Sequence, residues 1–326
     1  MVGTVLAPLE ATALAQTAEL ARDYIAQSMA ASTVRSYANG WRHFSAWCVA
    51  HHLPTMPAEP EIVALYIAEC AETYKPATIG LRLTAISHYH QAAGYESPTH
   101  ALAVRKTLAG IRRNKGVAQV QKTALSVADL RQIVTEHLPH DYRGTITPKG
   151  TRDRALLLLG FAGAFRRSEL VSLDFEDLEH VAEGLIVTLR RSKTDQEGVG
   201  RKVGIPYGTH AETCPVRAVE AWLHASGIAE GPVFRPVDVW GNVAAERLSD
   251  HAVALVVKTY AAAIGRDATT FAGHSLRAGF ATAAAGAGAA EFDIMRQTGH
   301  RSLTMLRRYI RDGSLFRANA AAAVGL

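Results

Sequence analysis

The sequence predicts a mostly α-helical protein of two domains, an all-helical bundle followed by an α+β domain with one small antiparallel β-hairpin or sheet. A chain of 326 residues is longer than one hydrophobic core usually organises. Apolar residues recur at intervals of three and four along most of the chain, as in amphipathic helices. Only one pair of short runs, 184–194 and 200–206, is rich in β-branched residues.

The first third of the chain is predicted to fold as a bundle of four or five helices. Proline, serine or threonine stands where the first turn of most of these segments accepts it, and Ser32 is the predicted cap of the second helix. The predicted helices are 10–28, 33–52, 61–74, 77–94 and 98–114. The segment 115–123 lacks periodicity and carries a glycine, so we expect a linker there and domains at 1–118 and 119–326.

The second domain is predicted to be mostly helical around one small sheet. Its start carries Ser126 and Asp129 at the spacing of a capping box. The polar segment 195–199 separates the two β-branched runs and is the predicted turn of a hairpin. The predicted helices are 152–165, 166–178, 215–226, 249–265, 275–288, 291–299 and 302–312, followed by a tail of small residues at 314–326.

No segment of the sequence is long and apolar enough for a membrane span. The longest apolar run, 155–165, is far shorter than the roughly 20 residues that a bilayer requires. The N-terminus lacks the basic and apolar regions of a cleaved secretory signal. Three scattered cysteines, Cys48, Cys70 and Cys214, indicate a reducing, cytoplasmic environment, and their spacing predicts neither a disulfide framework nor a metal site.

The distribution of charge is more informative than the net charge of +5. The segment 97–128 contains no acidic residue, and its local positive field suits a polyanion such as a DNA backbone. A solvated helix face and linker is the alternative. The basic residues of this segment are Arg105, Lys106, Arg112, Arg113, Lys115 and Lys122.

Five polar residues stand where a structural role and a chemical one are both open. Arg166 and Glu169 share a helix face, either as a surface ion pair or as an arginine that the carboxylate orients. Lys193 in the hairpin is a solvated lysine or a proton donor to a leaving oxygen. His274 and Arg277 provide a helix cap or an anion site. A metal site is disfavoured because no Cys, His or carboxylate cluster has ligand spacing.

The stretch TGHRSLTMLRRYIR, residues 298–311, leads to a single tyrosine, Tyr309. Gly299 ends one predicted helix, and the next helix carries an apolar stripe. That stripe consists of Leu303, Leu306 and Ile310. Tyr309 lies at the border of the stripe, so the pattern alone fits either a packed aromatic residue or a functional one.

The conjunction of these residues favours chemistry on a phosphodiester. Guanidinium groups bind non-bridging phosphate oxygens and stabilise the extra charge of the transition state. A tyrosine is only about one part in a thousand phenolate at pH 7, so it requires a neighbouring base such as His274 or a cationic field. In chain order the set is Arg166, Lys193, His274, Arg277, His300 and Tyr309.

Four motifs in this order resemble the boxes of the tyrosine site-specific recombinases, or phage integrases. They are GAFRRSELVSL, RRSKT, GHSLRAGFAT and TGHRSLTMLRRYIR. The phrase TCPVRAVEAWL is also similar, and the N-terminal third resembles the helical, SAM-like DNA-clamping domain of Cre-like members. The resemblance spans most of residues 30–312. Arg167 stands where many members have an aliphatic residue, and His300 is the common choice where Cre has tryptophan; neither departure weakens the catalytic set.

The resemblance implies that Tyr309 attacks a scissile phosphate, forms a 3′-phosphotyrosine and releases a 5′-hydroxyl. Arg166 and Arg277 would clamp the phosphate, and His300 would donate a further hydrogen bond. Lys193 would protonate the leaving oxygen and His274 would act on the tyrosine proton. The remaining implied role belongs to Glu169, which would hold the arginines. No metal, ATP or other cofactor is implied.

The implied partners are double-stranded DNA sites and further copies of the chain. Family members exchange strands through a Holliday junction, as a tetramer on two sites with a dimer on each, and the tail 314–326 is predicted to dock on a neighbouring protomer. A topoisomerase-like or telomere-resolving relative and an inactive DNA-binding relative are the alternatives. Further candidates for DNA contact are Arg35, Arg42, Lys75, Arg82, His88, Arg247 and Lys258.

Overall fold

The computed structural model describes residues 7–117, 121–190 and 200–300, together with 302, 303, 306, 307 and 309; of 7–13 and 26 it describes the backbone alone. The chain forms two compact units, Met1–Val120 and Gln121–Leu326. No helix among these described residues is long and apolar enough to cross a membrane. The assignment of DNA-clamping and catalytic roles to the two domains stays a prediction.

The first unit is helical throughout its regular structure. Pro60 and Pro76 occupy the first turns of two of its helices, where a missing N–H has no cost. The predicted cap of the second helix is wrong: the helix begins at Ala31, and Ala30 precedes it without a side-chain hydrogen bond. The helices are α1 (Ala7–Gln27), α2 (Ala31–Ala50), α3 (Pro60–Thr73), α4 (Pro76–Ala92) and α5 (Leu102–Lys115).

The core of the first unit lies between α2, α3, α4 and α5 and is rich in aromatic rings. Phe44 and Tyr66 are fully buried and pack edge to face. His90 is also fully buried, and both ring nitrogens have partners. Its Nδ1–H donates to the carbonyl of Ile86 at 2.8 Å, and its Nε2 accepts from the N–H of Ala58 at 3.0 Å. These two bonds fix the Nδ1–H tautomer of a structural histidine.

The second unit contains helices and one sheet. Its described strands form a three-stranded antiparallel sheet in the order β1–β2–β3, in which Leu178 faces Val187 and Leu189 faces Arg201. The helices are α6 (Val127–Gln132), α7 (Pro148–Ala162), α8 (Arg167–Ser172), α9 (Pro215–Ser226), α10 (Asp250–Ala263), α11 (His274–Ala287) and α12 (Glu291–Thr298); the strands are β1 (Leu178–Val181), β2 (Gly184–Leu189) and β3 (Arg201–Pro206).

Two sequence-based expectations for this unit have different outcomes. The capping box at the start of α6 is confirmed, because Ser126 and Asp129 exchange both hydrogen bonds. The predicted helix 166–178 is wrong: α8 ends at Ser172, and a second capping box, between Asp174 and Asp177, starts a short 3₁₀ turn before strand β1. The reciprocal hydrogen bonds of these two carboxylates stabilise the turn instead of a continued helix.

Helix α7 runs through the middle of the second core and ends at the turn that leads to Arg166. Leu156, Leu157 and Leu159 are fully buried there. The ring of Phe165 folds back over Gly163, where an added Cβ would lie 2.2 Å from the ring. Because only glycine leaves this space, the turn is tight and Arg166 emerges at the end of the core.

Candidate active site

The turn between α7 and α8 positions Arg166. This residue is the N-cap of α8, and its backbone N–H donates to Oε2 of Glu169 at 2.9 Å. Its guanidinium donates to the other carboxylate oxygen of Glu169, which is only 2% exposed. Both oxygens of this buried carboxylate therefore hold one arginine, and the fork of that arginine is oriented before any ligand binds.

Arg277 on α11 is 1% exposed and has no carboxylate partner among the residues that the structure describes. Its Nη1 donates to the carbonyl of Ala164 at 2.8 Å and to the carbonyl of Thr298. Ala164 adopts φ +49°, uncommon for a residue with a Cβ, and this conformation belongs to the turn that presents its carbonyl. The Nη2 atom of Arg277 is buried, and no described residue accepts a hydrogen bond from it.

The C-terminal turn of α12 carries the third element of the site. Gly299 ends the helix in the left-handed region, with φ +66°. Thr298 is fully buried, and its Oγ1 lies 2.7 Å from Nδ1 of His300. The same residue therefore contacts Arg277 through its carbonyl and His300 through its hydroxyl.

Arg201, at the start of β3, is a residue that the sequence reasoning missed. Its Nη1 donates to the carbonyls of Gln297 at 3.1 Å and Arg296 at 3.3 Å, at the negative end of α12. Its guanidinium lies against Gly299, where an added Cβ would be 2.9 Å from Cζ. A lone arginine at the end of a predicted turn gives no sequence signal of this contact.

Tyr309 is helical and lies next to two histidines. Its hydroxyl is 2.5 Å from Nε2 of His274, the first residue of α11. The ring centroid of Tyr309 is 5.9 Å from that of His274 and 6.0 Å from that of His300. Of the predicted apolar stripe, Leu306 is fully buried in a small cluster that Tyr309 borders. Leu303 is 40% exposed, so the prediction is wrong for Leu303, and Ile310 lies outside the described residues.

The electrostatics of the site keep both histidines neutral near pH 7. Partial burial lowers the pKa of His274, and the charges of Arg277 and Arg166 lower it further. Burial is also the largest cause that lowers the pKa of His300 to about 3, followed by Arg277 and Arg166. Arg277 itself has its pKa lowered to about 10, first by burial and then by Arg166, so it stays charged.

The structure brings five of the six predicted catalytic residues, and Glu169, into one site. Direct contacts link Arg166 to Glu169 and His274 to Tyr309, while Thr298 links Arg277 to His300. The sixth residue, Lys193, and the tail 314–326 lie outside the described residues. Such a site, with several cations and one carboxylate, can bind an anion, and its tyrosine has a base within hydrogen-bond distance. Within the described part of the chain no group of three or more His, Cys, Asp or Glu side chains is placed to hold a metal ion.

The predicted DNA-contacting residues fall into two groups. One group is exposed and basic, and it includes the face of α5: Arg35, Arg42, Lys75, Arg105, Lys106, Arg112, Arg113 and Lys115. The second group has internal contacts or is half-buried: Arg82, His88, Lys122, Arg247 and Lys258. Arg247, for example, donates to the carbonyl of Val171 at 2.6 Å and to Asp174. The role of each in DNA contact stays a prediction.

A groove in the first unit contains two of these arginines. It has a volume of about 540 Å³ and lies between α2 and α4, with Arg42 and Arg82 in its lining. The guanidinium of Arg82 lies 3.7 Å above the ring of Tyr74 and donates to Sγ of Cys70 at 3.2 Å. Arg82 is therefore fixed by its neighbours, whereas Arg42 is exposed.

Fold, charge and a tyrosine beside a base together define a class of protein that acts on phosphodiesters. Residues 123–314 match the model of the phage integrase family. The chain belongs to this family, the tyrosine recombinases, which are enzymes of DNA recombination and integration.

Two relatives show how far the similarity extends. The integrase/recombinase xerD homolog of Selenomonas ruminantium is 42% identical over 303 residues, which cover 92% of this chain and 87% of the relative. Recombinase cre of Escherichia phage P1 is 25% identical over 289 residues, which cover 83% of this chain and 81% of the relative. The similarity to both relatives therefore includes the N-terminal unit as well as the catalytic motifs.

Solved structures share the fold at low sequence identity. A lambda integrase dimer bound to a COC′ core site has a TM-score of 0.56 and 15% identity, covering 91% of this chain and 94% of that one. The Tn1549 transposon integrase in complex with transposon right end DNA has a TM-score of 0.55 and 16% identity, covering 90% and 99%. At these identities the likeness concerns the fold alone.

Proposed function

We propose that this chain is a site-specific DNA recombinase whose nucleophile is Tyr309. The observation that carries the proposal is the 2.5 Å contact between the Tyr309 hydroxyl and Nε2 of His274. A neutral imidazole at that distance can accept the phenolic proton as the oxygen attacks phosphorus. Arg277 supports the same step, because its buried Nη2 has a hydrogen to donate and no acceptor within the described residues.

The chemical step is a transesterification. The Tyr309 oxygen forms a bond to the scissile phosphorus, and the bond from phosphorus to the 5′-oxygen breaks. The product is a 3′-phosphotyrosine, and the leaving oxygen takes a proton from Lys193 and becomes a 5′-hydroxyl. Arg166 and Arg277 hold the non-bridging oxygens, where charge increases in the transition state. His300 donates a further hydrogen bond, and Glu169 holds the fork of Arg166 in place.

Strand exchange follows from the same chemistry in reverse. The phosphotyrosine keeps the energy of the broken bond, so the 5′-hydroxyl of a partner strand can attack it without ATP, a metal ion or another cofactor. Two such exchanges in sequence pass through a Holliday junction. We assign this reaction to a tetramer on two DNA sites, with one dimer on each site and the tail 314–326 docked on a neighbouring protomer.

The proposed partner is double-stranded DNA in the cytoplasm, with residues 1–118 as the clamping domain and 119–326 as the catalytic domain. The exposed basic face of α5 supports this assignment, because helix-borne lysines and arginines neutralise phosphates. The names of the similar proteins point the same way: both relatives are named recombinases, the Tn1549 transposon integrase is in complex with transposon right end DNA, and the lambda integrase dimer is bound to a core site.

A covalent-adduct assay tests the nucleophile. Tyr309→Phe protein first selects a binding duplex from a pool of random sequences, and a nicked form of that duplex then traps the cleaved state. Wild-type protein should give a protein–DNA adduct on a denaturing gel, and Tyr309→Phe should bind the duplex without forming one. Tyr142→Phe, which changes an exposed tyrosine elsewhere in the unit, should form the adduct like the wild type. An adduct in the Tyr309→Phe lane would contradict the nucleophile assignment.

A two-site assay separates recombination from the other readings. Two distinguishable duplexes that carry the selected site should yield products with exchanged strands. Rejoining of the original strands alone would indicate a relaxing or resolving enzyme instead. Binding with no adduct from wild-type protein would indicate a DNA-binding relative without chemistry.

A further inference from the structure

Thr298 contacts two of the predicted catalytic residues, Arg277 and His300. It is fully buried at the end of α12, and although it is the first residue of the motif TGHRSLTMLRRYIR, the implied catalytic set does not include it. Its carbonyl accepts from Arg277, which fixes the guanidinium. Its hydroxyl faces two short contacts, one to the carbonyl of Ile294 at 2.6 Å and one to Nδ1 of His300 at 2.7 Å.

The two contacts of the hydroxyl decide where its proton lies. A threonine hydroxyl has one proton to donate, and a carbonyl oxygen can only accept. If the proton pointed to His300, two oxygen acceptors would face each other at 2.6 Å without a hydrogen between them. The proton therefore belongs to the contact with Ile294, and Oγ1 is left to accept from the ring of His300.

The ring nitrogen next to Thr298 must then carry a hydrogen. A neutral imidazole has a single N–H, so this assignment leaves Nε2 of His300 unprotonated. His90 in the first unit has the same tautomer for a comparable reason, since its Nδ1 faces a carbonyl. The difference is that Nε2 of His90 is occupied by a backbone N–H, whereas His300 lies beside Tyr309.

We propose that Thr298 is a positioning residue that orients His300 and holds it as the Nδ1–H tautomer. His300 then presents a lone pair at Nε2, and it becomes a donor to phosphate only after Nε2 takes up a proton from solvent. Thr298 continues to accept the Nδ1–H in that imidazolium, so the ring does not have to turn. The function of the imidazolium rests on the proposed function, whereas the tautomer does not.

The groups around His300 explain why its Nε2 is protonated only when an anionic ligand is bound. Arg277 and His274 on α11, Arg166 before α8 and Arg201 on β3 face it, and Tyr309 is the neighbouring phenol. Burial is the largest cause that lowers the pKa of His300 to about 3, and the three arginines and His274 lower it further. A phosphate anion among the same groups acts in the opposite direction and favours the protonated ring.

Nitrogen–proton NMR spectra of histidine-labelled protein test the tautomer without DNA. The resonances of His300 are identified by their loss in His300→Asn. In wild-type protein near neutral pH we expect Nδ1 protonated and Nε2 unprotonated, and in Thr298→Val we expect the Nε2–H form that dominates in free histidine. Thr298→Ser retains the hydroxyl and should give the wild-type pattern. A wild-type His300 protonated on Nε2 would overturn the proposal, whether or not the Val variant folds.

Two further measurements test the consequence for the reaction. On binding of the selected duplex to Tyr309→Phe protein, Nε2 of His300 should become protonated; an unprotonated Nε2 in that complex would contradict the role as donor. Thr298→Val should slow single-turnover cleavage about 10- to 100-fold, as for the outer partners of metal-bound histidines, with unchanged affinity for the duplex.

The matched control is Thr135→Val. The hydroxyl of Thr135 also donates to a carbonyl four residues back, that of Arg131 at 3.0 Å, but Thr135 is exposed and lies in the π-helical turn Ile133–His137 that follows α6. It should cleave at the wild-type rate. Equal rates for Thr298→Val and wild type would overturn the positioning role. Failure of wild-type protein to form any adduct would instead reject the proposed function and leave the tautomer result unaffected.

Discussion

Two arginines of the second unit, Arg152 and Arg277, are buried to a similar extent but held in opposite ways. Arg152 is 5% exposed and donates twice to Oδ1 of Asp153, at 2.6 and 2.8 Å. The other oxygen of Asp153 accepts from the hydroxyl of Tyr260 at 2.8 Å. Arg277 is 1% exposed, and within the described parts of the chain it donates to two carbonyls, while its Nη2 atom has no acceptor there.

The difference separates an arginine that is neutralised inside the protein from one that, under the proposed function, binds the scissile phosphate. The charge of Arg152 is neutralised inside the protein by Asp153, and Asp153 in turn connects α7 to α10 through the hydroxyl of Tyr260. The charge of Arg277 is not neutralised in this way, and its cost in the free protein is visible as a lowered pKa. An anion that enters the site would offset that cost, which favours anion binding at Arg277.

The largest expected effect is on the stability of the protein when Arg152 is replaced. Arg152→Met leaves Asp153 as a buried charge without its partner, and the free energy of unfolding should fall by about 3–5 kcal/mol. Urea denaturation of the variant and the wild type measures this difference in the free energy of unfolding. Adding Asp153→Asn should restore part of the loss, because the unpaired charge is then gone. If Arg152→Met were as stable as the wild type, the structural role of Arg152 would be contradicted.

Arg277→Gln should have the next largest effect, on rate instead of stability. By analogy with the loss of one oxyanion-hole donor, cleavage should slow about 100- to 1000-fold, which corresponds to about 3–4 kcal/mol. Single-turnover cleavage of the selected nicked duplex gives this rate. Urea denaturation of the same variant should show a much smaller loss than Arg152→Met, since no buried carboxylate is left alone. A variant that cleaves normally would contradict the role of the unpartnered guanidinium.

Inorganic phosphate should stabilise the protein through Arg277 by a smaller amount. At ten times its dissociation constant, one bound anion raises the free energy of unfolding by about 1.4 kcal/mol. Thermal unfolding with phosphate, and with chloride at equal ionic strength, separates binding from screening. Wild type and Tyr309→Phe should respond to phosphate and Arg277→Gln should not. An equal response from all three would show that the anion binds elsewhere.

The smallest effect concerns pH. His274 must be neutral to accept the proton of Tyr309, and its pKa is lowered by partial burial, then by Arg277 and Arg166. The cleavage rate of wild type should therefore fall only below the usual histidine value of about 6.5. Arg277→Gln removes one of these causes, so its acid limb should lie at higher pH. The acid limb of the rate profile should not move in Thr135→Val. An unshifted limb in Arg277→Gln would show that the charge of Arg277 does not affect the pKa of the catalytic base.

The sequence predicted the helices best where local chemistry decides the fold. The first turns of α3 and α4 contain proline, and α6 begins with the capping box at Ser126. These signals act within a few residues, so they can be recognised in the sequence alone. The predicted helix 166–178 failed because the Asp174–Asp177 box competes with helix continuation. The first strand, β1, was missed for the same reason, since it follows that turn directly.

The kind of reaction could also be predicted from the sequence, because the residue types occur in a fixed order. Arginine, histidine and tyrosine have the same functional groups in any fold, and four motifs were enough to indicate a phosphodiester as the target. What the sequence could not supply was distance. His274 and Tyr309 are 35 residues apart and Arg277 and Ala164 are 113 apart, and only the packing of α7, α11 and α12 brings them into contact.

Tertiary structure alone decided which polar groups are neutralised and which are left available. Arg152 and Arg277 both lie in helices, and although a motif contains Arg277, only the folded structure shows that Arg152 is paired with a carboxylate and that Arg277 donates to backbone carbonyls. Arg201 lies in no motif, and the motif that begins with Thr298 did not indicate a role for it. The contacts of both residues are with backbone carbonyls and a ring nitrogen of a turn that exists only after folding. Burial makes these contacts matter, because a polar group removed from water depends entirely on the partners that packing provides.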